Sequence, residues 1–435
     1  MPNEQTINPS IKVNDPRTMT GWAFFDCANS AHSLVITTAV FPAYFAAIAP
    51  KEIHFFNAII PSSAMLAYAI TIAYSVMAVA SPILSGIADF GGKRKLFMRF
   101  FTMLGAFSCI AMFWMEKPDE WWLGWVTYIA AMVGYAGGVV FNNSFLPIIA
   151  TPDKYDSLSA KGFTFGYLGS TFLLVTNLLM ILNYDKLGFP DKTIPTRLAF
   201  IMVGLWWLGF SQITFRRMPP DNPKPLQLSS VKNGFNQIRS VWQIVKKDLN
   251  LKRYLTAFFF FDAGVQTVIF LAAVFATKEI FGPEDPIGLI VLVLILQIVG
   301  AAGAYLFAKI SDRKGNKFAL TILLTIWVLI CITSYFVHGI APFYALGSVL
   351  GLVMGGLQSL GRSTYSKLIP EGTTDTTSFY SFYDLTDKLA VILGTLVFGS
   401  IDQLIGIRFS VLAMGLLFVI GFLFLMPVRI KNEAN

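Results

Sequence analysis

The chain has 435 residues, of which 55% are hydrophobic and 13% are charged, with a formal net charge of +8 at pH 7. A soluble domain is about one-quarter charged, so this composition excludes an ordinary water-soluble protein and indicates a helical membrane protein. The basic residues are distributed among the segments between apolar runs, so the positive charge does not indicate a nucleic-acid partner.

Twelve apolar runs approach the roughly 20 residues that a helix needs to cross a bilayer. The predicted spans are 21–48, 62–88, 96–115, 121–149, 158–183, 196–215, 254–278, 286–309, 318–337, 342–368, 376–401 and 408–427. The polar N-terminus lacks the hydrophobic region of a cleaved signal peptide, so we expect the first span to direct insertion. The three cysteines lie far apart within apolar runs and indicate neither disulfides nor a metal site.

The distribution of positive charge predicts the orientation of the spans. One set of connections holds most of the lysines and arginines, around 93–99, 154–161, 216–253 and 309–317. The other set of connections holds few lysines and arginines. Because short cytoplasmic loops are enriched in Lys and Arg, we expect the first set and both termini to face the cytoplasm.

The first span carries a polar stripe inside an apolar run. Asp26, Asn29, Ser30, Ser33 and Thr37 follow one another at i, i+3, i+4, i+7 and i+11, so they share one face of a helix. A charged side chain at the centre of a spanning helix costs roughly 2.5–3.5 kcal/mol and therefore faces protein or a water-filled cavity. The stripe makes Asp26 a candidate for solute binding or protonation. The alternative is a structural acid that caps a neighbouring helix.

Two loops have closely similar sequences. IADFGGKR at 87–94 matches ISDRKGNK at 310–317, so that Asp89 aligns with Asp312. A short turn with glycine, an acid and a basic cluster can cap a neighbouring helix and act as a conformational latch. The alternative is a plain positively charged turn. The residues assigned to gating are Gly86, Asp89, Gly92, Lys93, Arg94, Asp312, Arg313 and Gly315.

The first spans of the two halves also correspond, because AFFD ends at Asp26 and FFFD ends at Asp262. Two six-span halves in the same topological sense are the parallel repeat of the major facilitator architecture, an all-α polytopic fold. The resulting division is a tail at 1–20, a first half at 21–215, a linker at 216–253, a second half at 254–427 and a tail at 428–435.

The linker begins with the proline-rich segment RRMPPDNPKP. In the residues that follow, Phe235, Ile238, Trp242, Val245 and Leu249 recur at helical spacing with basic residues between them. This pattern predicts a basic amphipathic helix on the inner membrane surface. A simple connection between the two halves is favoured over a regulatory site.

Ionisable residues inside the second-half spans suggest a binding or proton site. Asp262 and Gln266 lie one helical turn apart in the seventh span. Asp262 occupies the place in its half that Asp26 occupies in the first. Two acids facing each other across a cavity would repel, which suits a proton-coupled site, although a symmetric structural role also fits.

The eleventh span has the densest charge. Asp384 and Lys388 are four residues apart with the acid first, the favourable order for a helical ion pair, and Asp387 lies between them. With Arg362 of the tenth span they fit a charge network that changes partners between two conformations. They also fit direct recognition, in which a base binds a carboxylate or phosphate and an acid binds an ammonium. Permanent pairing that only offsets the cost of burial is the alternative.

Neutral polar residues complete the candidate site. Asn142 and Asn143 of the fourth span, Tyr167 of the fifth and Tyr383 of the eleventh offer hydrogen bonds, although asparagines also join helices to one another. His32 neighbours the polar stripe and could titrate near neutral pH, but a structural interhelical histidine is the more common case.

The start of the first span is similar to a known family. GWAFFDCANSAHSLVITTAVFPAYF at 21–45 resembles the UMF1 branch of major facilitators, the bacterial relatives of the fungal vacuolar effluxer Atg22. Phe25 and Cys27 stand where that family usually has Tyr and Trp. Further similarity lies in FNNSFLPIIA (141–150), GYLGS (166–170), LGRSTYSKLIP (360–370) and FYDLTDKLAVILG (382–394). The paired loops resemble the motif that major facilitators carry between spans two and three.

The resemblance implies a secondary transporter of a small polar solute in a bacterial inner membrane. Amino acids are the leading candidate, because the fungal members are associated with amino-acid export from the vacuole. We expect a monomer that contacts membrane lipid and works by alternating access, coupled to protons through Asp26, Asp262 or Asp384.

Three other functions also fit these sequence features. Export of lipids or amphipathic drugs, flipping of lipids, and transport of phosphorylated metabolites remain alternatives. The chain contains no phosphate-binding loop, zinc-protease motif, nucleophile elbow or Cys/His cluster with metal spacing, so we expect no enzyme activity, metal or cofactor.

Overall fold

Long apolar helices dominate the structure. A computed structural model describes residues 12–55, 58–223, 228–281 and 286–430. Within these ranges eleven helices are long and apolar enough to cross a membrane, and a bent pair, Leu249–Ile269 and Val274–Phe281, supplies a twelfth span. The prediction of an all-α polytopic membrane protein is therefore confirmed. The outer parts of the two predicted tails, 1–11 and 431–435, lie outside the described residues.

The first half contains eight α-helices and one hairpin. The helices are α1 (Pro16–Ala31), α2 (Phe41–Ile48), α3 (Ser62–Gly91), α4 (Arg94–Ala111), α5 (Trp121–Asn143), α6 (Leu146–Ile149), α7 (Tyr155–Leu182) and α8 (Thr193–Arg217). Strands β1 (Glu52–Phe55) and β2 (Ala58–Pro61) pair antiparallel between the first two spans. Short 3₁₀ turns occupy Met112–Trp114, Pro118–Glu120 and Pro152–Lys154.

The first span is a composite helix. It begins at Pro16, where the preceding Asp15 side chain accepts a hydrogen bond from the Thr18 backbone N–H at 2.8 Å. Proline suits this first position because the N–H it lacks would have no partner there. Between α1 and α2 the segment His32–Val40 is π-helical. Such π-helical segments are rare and frequently occur at functional sites.

The second half follows the linker. Its helices are α9 (Leu228–Lys247), α10 (Leu249–Ala276), α11 (Pro286–Lys314), α12 (Asn316–Phe336), α13 (Ile340–Leu368), α14 (Thr376–Ile405) and α15 (Ile407–Leu425), with a π-helical segment at Thr277–Phe281. Apart from the amphipathic α9, each corresponds to one predicted span, and the bounds differ from the prediction by a few residues.

Each half has its own apolar core. In the first half the clusters are built from residues between Trp22 and Met218, and in the second half almost entirely from residues between Val241 and Ile430. The halves meet along α3 with α14 and along α7 with α11 and α13. Ala160, Ala304 and Ala308 form a small shared cluster where α7 and α11 approach. Small side chains allow this close contact between helices.

The linker helix α9 packs against the bundle. It contacts α3 of the first half as well as α10 and α14 of the second. Val241 and Val245 are buried in the second-half core, and the Trp242 ring stacks on Phe382 at 5.6 Å between centroids. Phe235 on the same helix remains exposed. Part of the predicted apolar face of this helix therefore packs against the protein and not against the membrane surface.

We call the end of the bundle where α1 begins and α8 and α15 end the terminal face. Asn14 donates its backbone N–H to Ile149 at 2.8 Å, and the Thr18 hydroxyl donates to the Arg217 carbonyl at 3.3 Å. These contacts bring the start of the first span together with the ends of the fourth and sixth, as an alternating up-and-down arrangement requires.

Candidate functional site

A cavity of about 240 Å³ lies between the two halves. Its lining comes from both halves, chiefly from the first span, α3, α5, α10, α13 and α14. Every residue predicted to bind solute or protons contributes to it except Asn142. Those residues are Asp26, Asn29, Ser33, Asn143, Asp262, Gln266, Arg362, Tyr383, Asp384, Asp387 and Lys388.

The polar stripe of the first span faces this cavity. Asn29, Ser30, Ser33 and Thr37 line it together with Asp26. The Asn29 side-chain oxygen is buried and accepts no hydrogen bond from any described residue. A buried amide oxygen without a donor is costly, so this atom is available to a ligand or a water molecule.

Arg362 joins the two halves. It belongs to α13 of the second half, yet its guanidinium binds first-half groups. Nη1 donates to the Asp26 carboxylate at 2.8 Å and to the Asn143 side chain at 3.2 Å. Nε and Nη2 donate to the hydroxyl and carbonyl of Ser159 at 3.0 and 2.9 Å. The Arg362 side chain is only 5% exposed, so the pair forms a wall of the cavity.

Aromatic rings and a glycine hold this ion pair in place. The Arg362 guanidinium lies 4.6 Å from the centroid of the Trp22 ring and 4.4 Å from that of Phe163, which are favourable cation–π distances. Gly162 packs directly beside it. A Cβ at Gly162 would collide with the Asp26 carboxylate and approach Arg362, so this position requires glycine.

The second-half wall of the cavity is acidic. Gln266 donates to the Asp387 carboxylate at 2.9 Å and to Asp262 at 3.5 Å, so one amide group bridges two acids. Asp262 is buried, and its second carboxylate oxygen has no hydrogen-bond partner among the described residues. This oxygen needs a partner, because a buried unpaired charge costs several kcal/mol unless it is protonated or meets a cation.

The predicted helical ion pair forms in α14. Lys388 donates to Asp384, and both side chains are buried. The Lys388 ammonium also lies 5.5 Å from the centroid of the Tyr74 ring, which belongs to α3 of the first half. This pair therefore stands at the junction of α14 with the first half.

The formal charges of the cavity do not cancel. Four acids (Asp26, Asp262, Asp384, Asp387) and two bases (Arg362, Lys388) line it, which gives 2 − 4 = −2 when all are ionised. Charges in a cavity of low dielectric are screened less than at the surface. The cavity therefore favours protons or a cationic group of a solute over an anion.

At the terminal face, Asp89 of the first half caps a helix of the second. Its carboxylate accepts the Ser378 backbone N–H at 2.7 Å, the Ser378 hydroxyl at 2.8 Å and the Thr377 N–H at 3.3 Å. These groups lie in the first turn of α14, where the helix dipole favours a negative charge. Arg94 holds the Asp89 carboxylate at 2.8 Å and also donates to Thr377 and Thr374.

The other residues of the first loop that are predicted to act in gating shape the turn. Gly86 is buried within α3, and Lys93 is partly exposed directly before α4. Gly92 ends α3 at φ +61°, a conformation that glycine adopts without steric cost. A side chain there would also collide with the Asn222 carbonyl.

The second loop behaves differently from its counterpart. Asp312 and Arg313 are exposed, and neither makes a hydrogen bond or ion pair with a described residue; Gly315 has φ +86° directly before α12. The contact across the halves is made instead by Asp156 of α7, which lies between the predicted spans 121–149 and 158–183. The aligned acids thus occupy matching positions in sequence but make different contacts, because Ser311 rather than Asp312 faces inward.

Asp156 is the centre of a buried network. It accepts the Ser311 hydroxyl at 2.9 Å, the Asn316 side chain at 2.8 Å and the Lys367 ammonium at 2.7 Å, all from the second half. Its side chain is 2% exposed. With the Asp89 contacts, this network closes the terminal side of the cavity.

Several predicted polar residues lie away from the cavity. Asn142 is buried, and its side chain makes no hydrogen bond with a described residue, although its carbonyl accepts the Trp22 ring N–H at 2.7 Å. His32 is buried beside Tyr135 and Trp207, with ring centroids 5.3 and 5.5 Å away. Tyr167 donates a hydrogen bond from its hydroxyl across the halves to the Gln358 side chain. Gln358 lines the cavity but is not among the residues predicted from the sequence.

Among the residues that the structure describes, the ion pairs near the opposite end of the bundle join residues of the same half. They are Arg197 with Glu116, Arg408 with Glu279, and Lys278 with Asp402. Polar contacts between the halves are therefore concentrated toward the terminal face. This asymmetry is typical of a structure that opens on one side at a time.

Comparison with known proteins gives consistent results. The sequence profile of the family described as "Vacuole effluxer Atg22 like" matches residues 14–435. The "Uncharacterized MFS-type transporter YxiO" of Bacillus subtilis is 29% identical over 416 residues, covering 95% of each chain. Autophagy-related protein 22 of Coccidioides immitis is 26% identical over 85% of this chain and 73% of its own length.

Solved structures show the fold. The proton:xylose symporter XylE, a major facilitator superfamily protein, has a TM-score of 0.71 at 13% identity, covering 96% of this chain and 97% of its own. The transporter FucP of the same superfamily, in its outward conformation, has a TM-score of 0.67 at 16% identity, covering 94% and 97%. At these identities the likeness establishes a shared fold only.

Proposed function

The chain belongs to the Atg22-like family of the major facilitator superfamily and is an integral membrane transporter, not an enzyme, and we propose that it moves a small polar solute, with amino acids as the leading class, by proton-coupled alternating access. The observation that carries this proposal is the cavity between the halves, which combines the Asp26–Arg362 pair with the bridged acids Asp262 and Asp387.

The size and charge of the cavity support a small solute that carries an ammonium group. Drug-sized ligands occupy pockets of about 300–1,000 Å³, whereas this cavity measures about 240 Å³. Lipids and amphipathic drugs therefore fit less well in this conformation. The acidic excess also disfavours phosphorylated metabolites, which would add negative charge to a cavity whose formal balance is already −2 (two bases and four acids).

The two halves offer complementary partners for an amino acid. The unpartnered Asp262 oxygen suits the ammonium group. Hydroxyl groups of the first-span stripe can donate to the carboxylate. Arg362 already donates to Asp26, Asn143 and Ser159. Its contacts therefore favour the partner-changing network over direct recognition of the solute.

Protonation can couple to movement through the same residues. For the terminal side to open, Arg362 must leave the first-half groups that it binds. Neutralising Asp26 removes the charge that holds the guanidinium and so weakens this closure. A proton on the Asp262–Asp387 pair likewise offsets the acidic excess when the solute has left.

We place the terminal face in the cytoplasm, because the connections at that end carry most of the lysines and arginines. The conformation described above is then closed to the cytoplasm, and the protein resides as a monomer in a bacterial inner membrane. Rocking of the halves about the cavity would open the terminal face after the Asp89, Asp156 and Asp26 contacts break.

Transport into proteoliposomes tests the proposal. The purified protein is reconstituted and assayed with labelled amino acids, sugar phosphates and a fluorescent lipid analogue, with and without a proton gradient. We expect uptake of one or more amino acids that a protonophore abolishes. The variant Asp262→Asn should lose gradient-driven uptake but retain exchange of labelled for unlabelled solute, because exchange requires no net proton movement.

Asp402→Asn is the matched control, because Asp402 is an acid of the same helix bundle that pairs with Lys278 outside the cavity. This control should transport normally. Uptake of sugar phosphates or lipid alone would refute the amino-acid assignment. Amino-acid uptake by the unmodified protein that is equal with and without the proton gradient would refute proton coupling.

A further inference from the structure

A basic groove lies on the terminal face of the second half, separate from the transport cavity. It is formed where α10 begins, where α12 begins and where the chain leaves α15. The residues that matter for its chemistry are Asp248, Asn250, Arg253, Lys317, Met426 and Arg429. Neither the transport cavity nor the contacts between the halves involve these side chains.

Hydrogen bonds build the groove into a fixed shape. The Asn250 side chain accepts the Arg429 backbone N–H at 2.7 Å and donates to the Arg429 carbonyl, which ties the segment after α15 to the start of α10. The Lys317 ammonium donates to the Met426 carbonyl at 2.5 Å. The groove is therefore defined by contacts among three separate elements.

The groove carries an excess of positive charge. Arg253, Lys317 and Arg429 contribute three cations, and Asp248 is the one acid among the described residues of the lining. One oxygen of the Asp248 carboxylate accepts the backbone N–H groups of Asn250 and Leu251 at 2.9 and 3.0 Å, so it caps α10. The side chains of Arg253 and Arg429 make no hydrogen bond or ion pair with a described residue, which leaves their donors for a ligand.

Exposed apolar side chains lie on the elements that form the groove. Leu249, which lines the groove at the start of α10, is 56% exposed, and Phe318 and Leu423 are exposed on α12 and α15. These residues lie at the ends of membrane spans, where the hydrocarbon region meets water. A ligand with an anionic head and an apolar tail fits this combination better than a soluble anion does.

We propose that this groove binds the headgroup phosphate of an anionic phospholipid, with Arg253 and Arg429 as its main partners. Basic pockets between spanning helices on the cytoplasmic side are known sites for acidic lipid headgroups. The bound lipid would connect the start of α10, which follows the linker helix α9, to the C-terminal segment. The proposal does not depend on which solute is transported.

Native mass spectrometry of the full-length protein tests the site. The protein, released from detergent micelles, is titrated with phosphatidylglycerol and, separately, with phosphatidylcholine of the same acyl chains. We expect preferential binding of phosphatidylglycerol. Each cation removed should weaken it roughly fivefold, so Arg253→Gln with Arg429→Gln should weaken it about 25-fold. Lys314→Gln is the matched control, because Lys314 is an exposed base of the same face outside the groove.

Four results would overturn the proposal. The first three are equal binding of the two lipids, unchanged phosphatidylglycerol binding in the double variant, and an equal loss in the control. Competition by millimolar inorganic phosphate would identify a soluble anion instead of a lipid and would also overturn it. If the double variant does not fold, phosphatidylglycerol binding is measured on Arg429→Gln alone. This variant should fold, because the Arg429 side chain is exposed and only its backbone contacts Asn250.

Discussion

Replacing Arg362 by alanine should open the terminal side of the protein. In the closed conformation Asp26 would remain largely buried without its cation, whereas opening would give its carboxylate access to water. Removing one partner of a buried ion pair costs about 3–5 kcal/mol. Every 1.4 kcal/mol changes an equilibrium tenfold, so the ratio of closed to open molecules should fall by roughly 100- to 4,000-fold.

Distance measurements between spin labels provide the assay. Lys154 in the first half and Lys314 in the second are both exposed at the terminal face. In a background without the three native cysteines, cysteines at these two positions carry the labels. Double electron–electron resonance should show a short distance in the parent protein and a predominantly longer distance in Arg362→Ala.

Arg408→Ala is the matched control for this experiment. Arg408 also pairs with an acid, Glu279, but both residues belong to the second half. Its loss should leave the distance between the labels unchanged. An unaltered distribution in Arg362→Ala, or an equal shift in Arg408→Ala, would refute the assignment of Arg362 as the closing contact.

Three further experiments test other parts of the site. Gly162→Ala should reduce transport at least tenfold while the protein still folds, because the new methyl group displaces the neighbouring ion pair; normal uptake would contradict the role assigned to this glycine. Asp156→Ala should lengthen the same spin-label distance and Asp312→Ala should not, because only Asp156 binds across the halves; equal effects would count against the latch. Lys388→Met should lower Tm in detergent by more than the double variant Lys388→Met with Asp384→Leu does. The single change leaves Asp384 buried without its cation, which destabilises the fold by about 3–5 kcal/mol. A lower Tm in the double variant would disprove this reasoning.

Properties encoded by local periodicity were predictable from the sequence. The spans follow from the length of the apolar runs, and the stripe from Asp26 to Thr37 faces the cavity as its spacing indicates. The pairing of Asp384 with Lys388 was also predictable, since residues four apart on a helix are neighbours in any packing. The repeat and the family resemblance supplied the two-half architecture, which the structural relatives share.

Contacts between distant segments were decided only by the tertiary structure. Asp26 and Arg362 are 336 positions apart, and helical spacing specifies a face of each helix but not the helix that the face meets. The same limit explains why Asn142 lies away from the cavity while the adjacent Asn143 lines it. It also explains why Asp156 binds across the halves in place of the aligned Asp312. A small rotation of a packed helix determines whether Asn142 or Asn143 faces the cavity, and whether Ser311 or Asp312 reaches the opposite half.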